Sequence, residues 1–120
     1  MTLLMVTVAG AAGVAARYGI SNAFHGDLLP WATVGINVLG SFLLGLLIVV
    51  PLSWVEPEIR AAIGVGFLGG FTTFSTFSVQ ALLDFDAGDP GRALVYMAAS
   101  VLLGLGAAAA GFYGGRALFG

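Results

Sequence analysis

The stretch Gly64-Val65-Gly66-Phe67-Leu68-Gly69-Gly70-Phe71-Thr72-Thr73-Phe74-Ser75-Thr76-Phe77-Ser78 places four glycines and five hydroxyl side chains inside a segment otherwise apolar enough for a lipid bilayer. Glycine weakens a helix interior by roughly 1 kcal/mol relative to alanine, and serine and threonine hydroxyls compete for backbone carbonyls. The spacing therefore predicts a helix that breaks near Gly69-Gly70. Irregular backbone survives in lipid only where protein buries it or a watery path runs beside it. A mid-membrane break followed by polar and aromatic side chains thus points to an ion or substrate site.

The 120-residue chain is 59% hydrophobic and 8% charged, with no lysine and a mean hydropathy of +1.04, which leaves too little polar surface for a water-soluble domain of this size. About 20 apolar residues cross a hydrocarbon core of roughly 30 Å. Four charge-free runs, 2–16, 28–55, 61–83 and 93–115, supply four spans and account for nearly the whole chain. The expectation is an all-α integral membrane protein with a single domain over residues 1–120 and transmembrane helices near 2–23, 30–54, 59–83 and 92–117, the third broken near its middle. Lipid is the expected surrounding, with no nucleic-acid partner. The first run lacks basic residues ahead of it and leads into Arg17-Tyr18, so it reads as a retained helix rather than a cleaved leader. The absence of cysteine excludes disulfides and thiolate metal sites.

Interface-preferring side chains mark the span ends. Trp31 and Trp54 bracket the second run, and Tyr18 and Tyr113 lie near the ends of the first and fourth. Pro30 suits the start of the second helix, Pro51 kinks its end, and Asp89-Pro90-Gly91 forms a turn before the fourth. With both termini on one side, Arg60 and Arg116 face that side and Arg17 and Arg92 the other, so the positive-inside rule has no bias to act on. Four short helices can hardly enclose a conduction path alone. Together these features point to a homodimer whose subunits can run antiparallel.

Most glycines need only a packing role: Gly66 with Gly70, and Gly111 with Gly115, are small-xxx-small pairs that let helices approach closely. Gly64, Gly66 and Gly69 also fit a dinucleotide fingerprint, with Asp84 downstream, but that motif needs a strand and a soluble βαβ unit, and the chain has neither.

All six carboxylates (Asp27, Glu56, Glu58, Asp84, Asp86, Asp89) fall in loops or at helix ends, as does His25, so a carboxylate-dependent proton-coupled transporter is excluded. The intramembrane polar groups are Thr33, Asn37, Ser41, Thr72, Thr73, Ser75, Thr76, Ser78 and Ser100, with Arg17 close to one end: neutral donors and one cation. Thr33, Asn37 and Ser41 share one helix face. The plain readings are back-bonding for the hydroxyls and an interhelical hydrogen bond for Asn37. Phe74 and Phe77, three apart, share a face just after the break. An aromatic ring has a positive edge, so rings turned edge-on line a path for an anion where a carboxylate would repel it.

Residues 66–78, with Thr33-x-x-x-Asn37-x-x-Gly40-Ser41 before them and Gly10-x-x-Gly13-x-x-x-Arg17-Tyr18 near the start, resemble the Fluc (CrcB) fluoride channels over all four spans. The resemblance implies an antiparallel, dual-topology homodimer with two pores that exports fluoride passively, and no enzymatic activity. It implies that Phe74 and Phe77 match the pore-lining phenylalanines and Asn37 the pore asparagine. The pore or anion-binding set is then Asn37, Phe74, Phe77, Thr33, Ser78, Tyr96, Ser100 and Arg17. The backbone carbonyls of Gly69 and Thr72 from both subunits match a structural sodium ion (Na+) at the dimer centre. Tyr96 and Ser100 fit the family's polar track, from which Gly104 departs. Two other readings are weaker. A small multidrug exporter needs a glutamate in the first helix, where residues 2–16 have none, and a purely structural scaffold leaves the clustered hydroxyls and Asn37 unexplained.

Overall fold

The computed structural model describes residues 1–120. Four helices are long and apolar enough to cross a membrane. They are α1 (Thr2–Asn22), α2 (Leu29–Val49) after a 3-10 turn at Gly26–Leu28, α3 (Pro57–Asp86) and α4 (Pro90–Phe119), and there is no strand.

The third helix is the irregular one. It begins as an α-helix at Pro57–Ala61, widens into a π-helix over Ala62–Leu68, tightens to one α turn at Gly69–Phe71, unwinds over residues 72–74 and resumes at Ser75–Asp86. The break falls later than the glycines suggested. Gly69 keeps helical angles (φ −63°, ψ −38°), whereas Thr72 is extended (φ −85°, ψ 158°). The physical reason is that Gly70 is occupied in packing, since a Cβ on it would stand 2.5 Å from the Gly10 carbonyl oxygen. The β-branched pair Thr72-Thr73 is the next weak point, being stiff at χ1 and disfavoured in a helix.

Helix boundaries also differ from expectation, the third helix running on to Asp86 rather than 83. The second helix stops at Val49 rather than 54, because the residue before a proline is pushed out of the helical region and Val50 is extended (φ −61°, ψ 131°) ahead of Pro51. Arg60 closes that end, donating to the carbonyls of Leu47, Val50 (2.9 Å) and Pro51 (3.2 Å). Before α4 the chain reverses at Gly88, whose φ of +83° suits glycine. Asp89 caps α4 by accepting from the Arg92 N–H at 3.0 Å, and Pro90 is already helical.

Close backbone contacts join the helices in pairs. Along α1 and the first half of α3, added Cβ atoms on Gly13, Gly66 and Gly70 would collide with the carbonyls of Phe67, Val6 and Gly10. Between α2 and α4, Gly45 and Gly111 face the carbonyls of Ala108 and Phe42, and Gly115 faces Val49. The two small-xxx-small pairs seen in the sequence therefore do pack helices. The second half of α3 leaves α1 and packs on α4. The result is a slab of 52 × 32 × 19 Å, only two helices deep, with Leu3, Val65, Leu102 and Leu118 among many exposed apolar side chains. Lipid or protein must cover such faces.

Gly13→Ala should lower thermal stability in detergent by about 1–3 kcal/mol, the usual cost of overpacking. Gly19→Ala, where nothing lies within 4 Å of an added Cβ, should be neutral or stabilising. Equal melting temperatures for the two variants would contradict the close α1–α3 contact.

Candidate functional site

Unwinding residues 72–74 frees peptide groups that water cannot reach in a bilayer, and their replacement partners define the site. Asn37 of α2 meets Thr73 with both ends of its amide. Its Nδ2 donates to the Thr73 carbonyl at 2.9 Å, and its Oδ1 accepts from the Thr73 N–H at 2.8 Å. Arg17 of α1 donates from Nε to the Gly70 carbonyl at 3.1 Å. The Thr73 hydroxyl accepts from the Thr76 N–H at 3.3 Å and caps the resumed helix. The carbonyls of Gly69 and Thr72 accept no hydrogen bond within the chain.

These groups surround an open cleft of about 270 Å³ at the break, lined in part by Asn37, Ser41, Gly69, Thr72, Thr73 and Phe74. The lining holds amide, hydroxyl and carbonyl groups and no charged side chain. Phe74 is 78% exposed. From it an aromatic line runs along the second half of α3: Phe74 to Phe77 at 5.7 Å between centroids, Phe77 to Tyr96 at 5.3 Å, then Trp31 edge-on to Tyr96 at 6.5 Å. The first two pairs are tilted at about 50°, so edges as well as faces are offered along the line.

The other predicted residues are placed as follows. Tyr96 is buried on α4, and its hydroxyl donates to Gln80 Oε1 at 2.7 Å. Thr33 is buried beside this region and back-bonds weakly to the Leu29 carbonyl at 3.5 Å. Ser100, one turn below Tyr96, has a buried hydroxyl without a partner. Ser78 donates to the Phe74 carbonyl at 3.0 Å on an exposed face, away from the cleft lining. Arg17 does not stop at the membrane surface; it reaches the break itself. Gly104 lies against Ser41, whose hydroxyl oxygen would stand 3.9 Å from a Cβ added to the glycine. The sequence reading overlooked Gln80. Its signal was present, since residues 76 and 80, four apart, fall on one helix face.

Residues 4–112 match the family described as "CrcB-like protein, Camphor Resistance (CrcB)". The chain belongs to the CrcB-like family. It is 42% identical to a protein of Thermus thermophilus over 98% of this chain and 97% of that one. It is 46% identical to one from Acidithiobacillus ferrooxidans, over 82% and 83% of the two chains, and 39% identical to one from Geobacter sulfurreducens, over 98% of each. All three are named "Fluoride-specific ion channel FluC", the name of a channel and not of an enzyme. With four spanning helices and bacterial relatives, this CrcB-like chain is a multi-pass protein of the prokaryotic plasma membrane. The match includes the break, the cleft and the aromatic line.

Asn37→Ala should strand both the donor and the acceptor of Thr73, at about 1–3 kcal/mol for each buried group left unpaired. Thermal unfolding in detergent should show this loss, while Ser41→Ala, which removes a hydroxyl that makes no hydrogen bond within the chain, should unfold as the parent does.

Proposed function

We propose that the protein is a fluoride-selective channel that lets cytoplasmic fluoride leave passively, and that it works as an antiparallel, dual-topology homodimer. The observation that carries this reading is the open cleft at the break, where neutral donors and aromatic edges converge without a carboxylate. The names of the relatives supply the ion. Fluoride is small and strongly hydrated, so a pore must replace its water with donors in series. The second Nδ2 proton of Asn37, the unpartnered hydroxyl of Ser100 and the ring edges of Phe74 and Phe77 are the groups for that task, and the hydroxyls of Thr33, Ser78 and Tyr96 join them by turning away from Leu29, Phe74 and Gln80. Arg17, fixed to the Gly70 carbonyl, adds positive potential beside the break.

Thickness and exposure support the dimer. A slab two helices deep cannot wrap a path, and both the cleft and the Phe74 ring lie open. A second copy related by an axis in the membrane plane would cover them and bring two breaks together. The unpaired carbonyls of Gly69 and Thr72 are hard oxygen donors, so the residues present fit a small hard cation. In the dimer these oxygens, two from each subunit, would hold a structural sodium ion, which supplies charge to satisfy acceptors that water cannot reach.

Direction needs no energy coupling. Hydrogen fluoride is a weak acid that crosses membranes uncharged and dissociates inside, and the membrane potential drives the anion out with about 2.3 kcal/mol per 100 mV.

Liposomes loaded with fluoride and carrying the purified protein should release it to a fluoride electrode, with little chloride released in the matched control. Phe74→Ile and Phe77→Ile should each cut release by far more than their similar bulk suggests, because isoleucine lacks the positive edge. Normal release from both would remove the rings from the path.

Prolonged removal of sodium should lower thermal stability or promote dissociation of the dimer. A sodium gradient alone should move no fluoride uphill. Uphill movement would make the protein a cotransporter.

A further inference from the structure

The second half of α3 and the start of α4 are joined by successive rungs that continue outward from the aromatic line. Phe77 packs on Tyr96, Gln80 accepts from Tyr96, and one turn further out Asp84 Oδ1 lies 3.8 Å from Arg92 Nε. Positions 80 and 84 on α3, and 92 and 96 on α4, are each one turn apart, so the charged rung lies over the neutral one. Asp27, from the turn before α2, closes the rung with a 2.8 Å bond from Arg92 Nη2. The two carboxylates differ in setting. Asp84 is 19% exposed with a buried, unpartnered Oδ2, whereas Asp27 is 87% exposed. The Asp27 contact is therefore open to exchange with solvent ions, while Asp84 is shielded from them by burial.

We propose that Arg92, held between Asp27 and Asp84, is the anion-collecting group at the outer mouth of the line that passes Tyr96, Phe77 and Phe74, with Asp27 its exposed and exchangeable counter-ion. This rests on the fluoride-channel reading above. A guanidinium at the mouth raises the local anion concentration and the entry rate, and salt screens that effect over about 10 Å at 0.1 M. Without it the same mouth presents three carboxylates, those of Asp27, Asp84 and the helix-capping Asp89, and repels the ion. Asp27 limits the attraction, because any anion must compete with it for Arg92.

The test is fluoride release from liposomes at low and at high ionic strength. Arg92→Gln should slow release several-fold at low ionic strength and approach the parent at high, Arg92→Lys should recover much of the loss, and Asp27→Asn should exceed the parent at low ionic strength only. Parental release from Arg92→Gln at low ionic strength overturns the proposal, as does a loss of equal size at both ionic strengths, which would make Arg92 a structural clamp. Should Arg92→Gln fail to fold, Arg92→Gln/Asp84→Asn removes both inner charges together. Release from that variant should lose the parent's salt dependence, and an unchanged dependence again overturns the proposal. A parent that releases no fluoride at all would instead sink the channel reading.

Discussion

A single side-chain amide holds the centre of this protein. In a bilayer, a peptide unit that leaves its helix must find a partner inside the protein, and Asn37 gives the Thr73 peptide both a donor and an acceptor. With Arg17 on the Gly70 carbonyl and the Thr73 hydroxyl on the Thr76 N–H, the break becomes a defined conformation instead of a frayed segment. Three different helices contribute to this, so the break and the bundle depend on each other.

The break also lets one helix serve two partners. The first half of α3 lies against α1 through contacts that only glycine permits, and the second half lies against α4. A straight helix could not follow both. The change of direction opens the cleft, turns the Phe74 ring outward and starts the aromatic line toward Tyr96. Packing and site are thus one arrangement described at two scales.

Much of this was legible in the sequence. Charge-free runs and proline positions specify four spans, and the clustered glycines and hydroxyls of residues 64–78 a break in the third, since these depend on composition and local periodicity. The position of the break was not legible. Gly69-Gly70 has weak helix propensity, but whether a glycine unwinds or packs depends on what stands opposite, and Gly10 is sixty residues away in sequence from Gly70. For the same reason Arg17 read as a residue near the surface and Gln80 was passed over, because each is defined by a partner on another helix. The end of α2, by contrast, was a local error: Val50 precedes a proline, and that alone stops the helix.

The π-helical stretch Ala62–Leu68 acts as a phase shifter for everything after it. Its hydrogen bonds reach one residue further back than those of an α-helix, so the chain carries extra length there without extra turns. Each residue of helix advances the side-chain direction by about 100°. The same residues wound as ordinary α-helix would turn the chain further by about one residue's advance, present Thr72, Thr73 and Phe74 to different neighbours and take the Thr73 peptide away from Asn37. The winding of the residues between Pro57 and the break is therefore as much a part of the site as their identity.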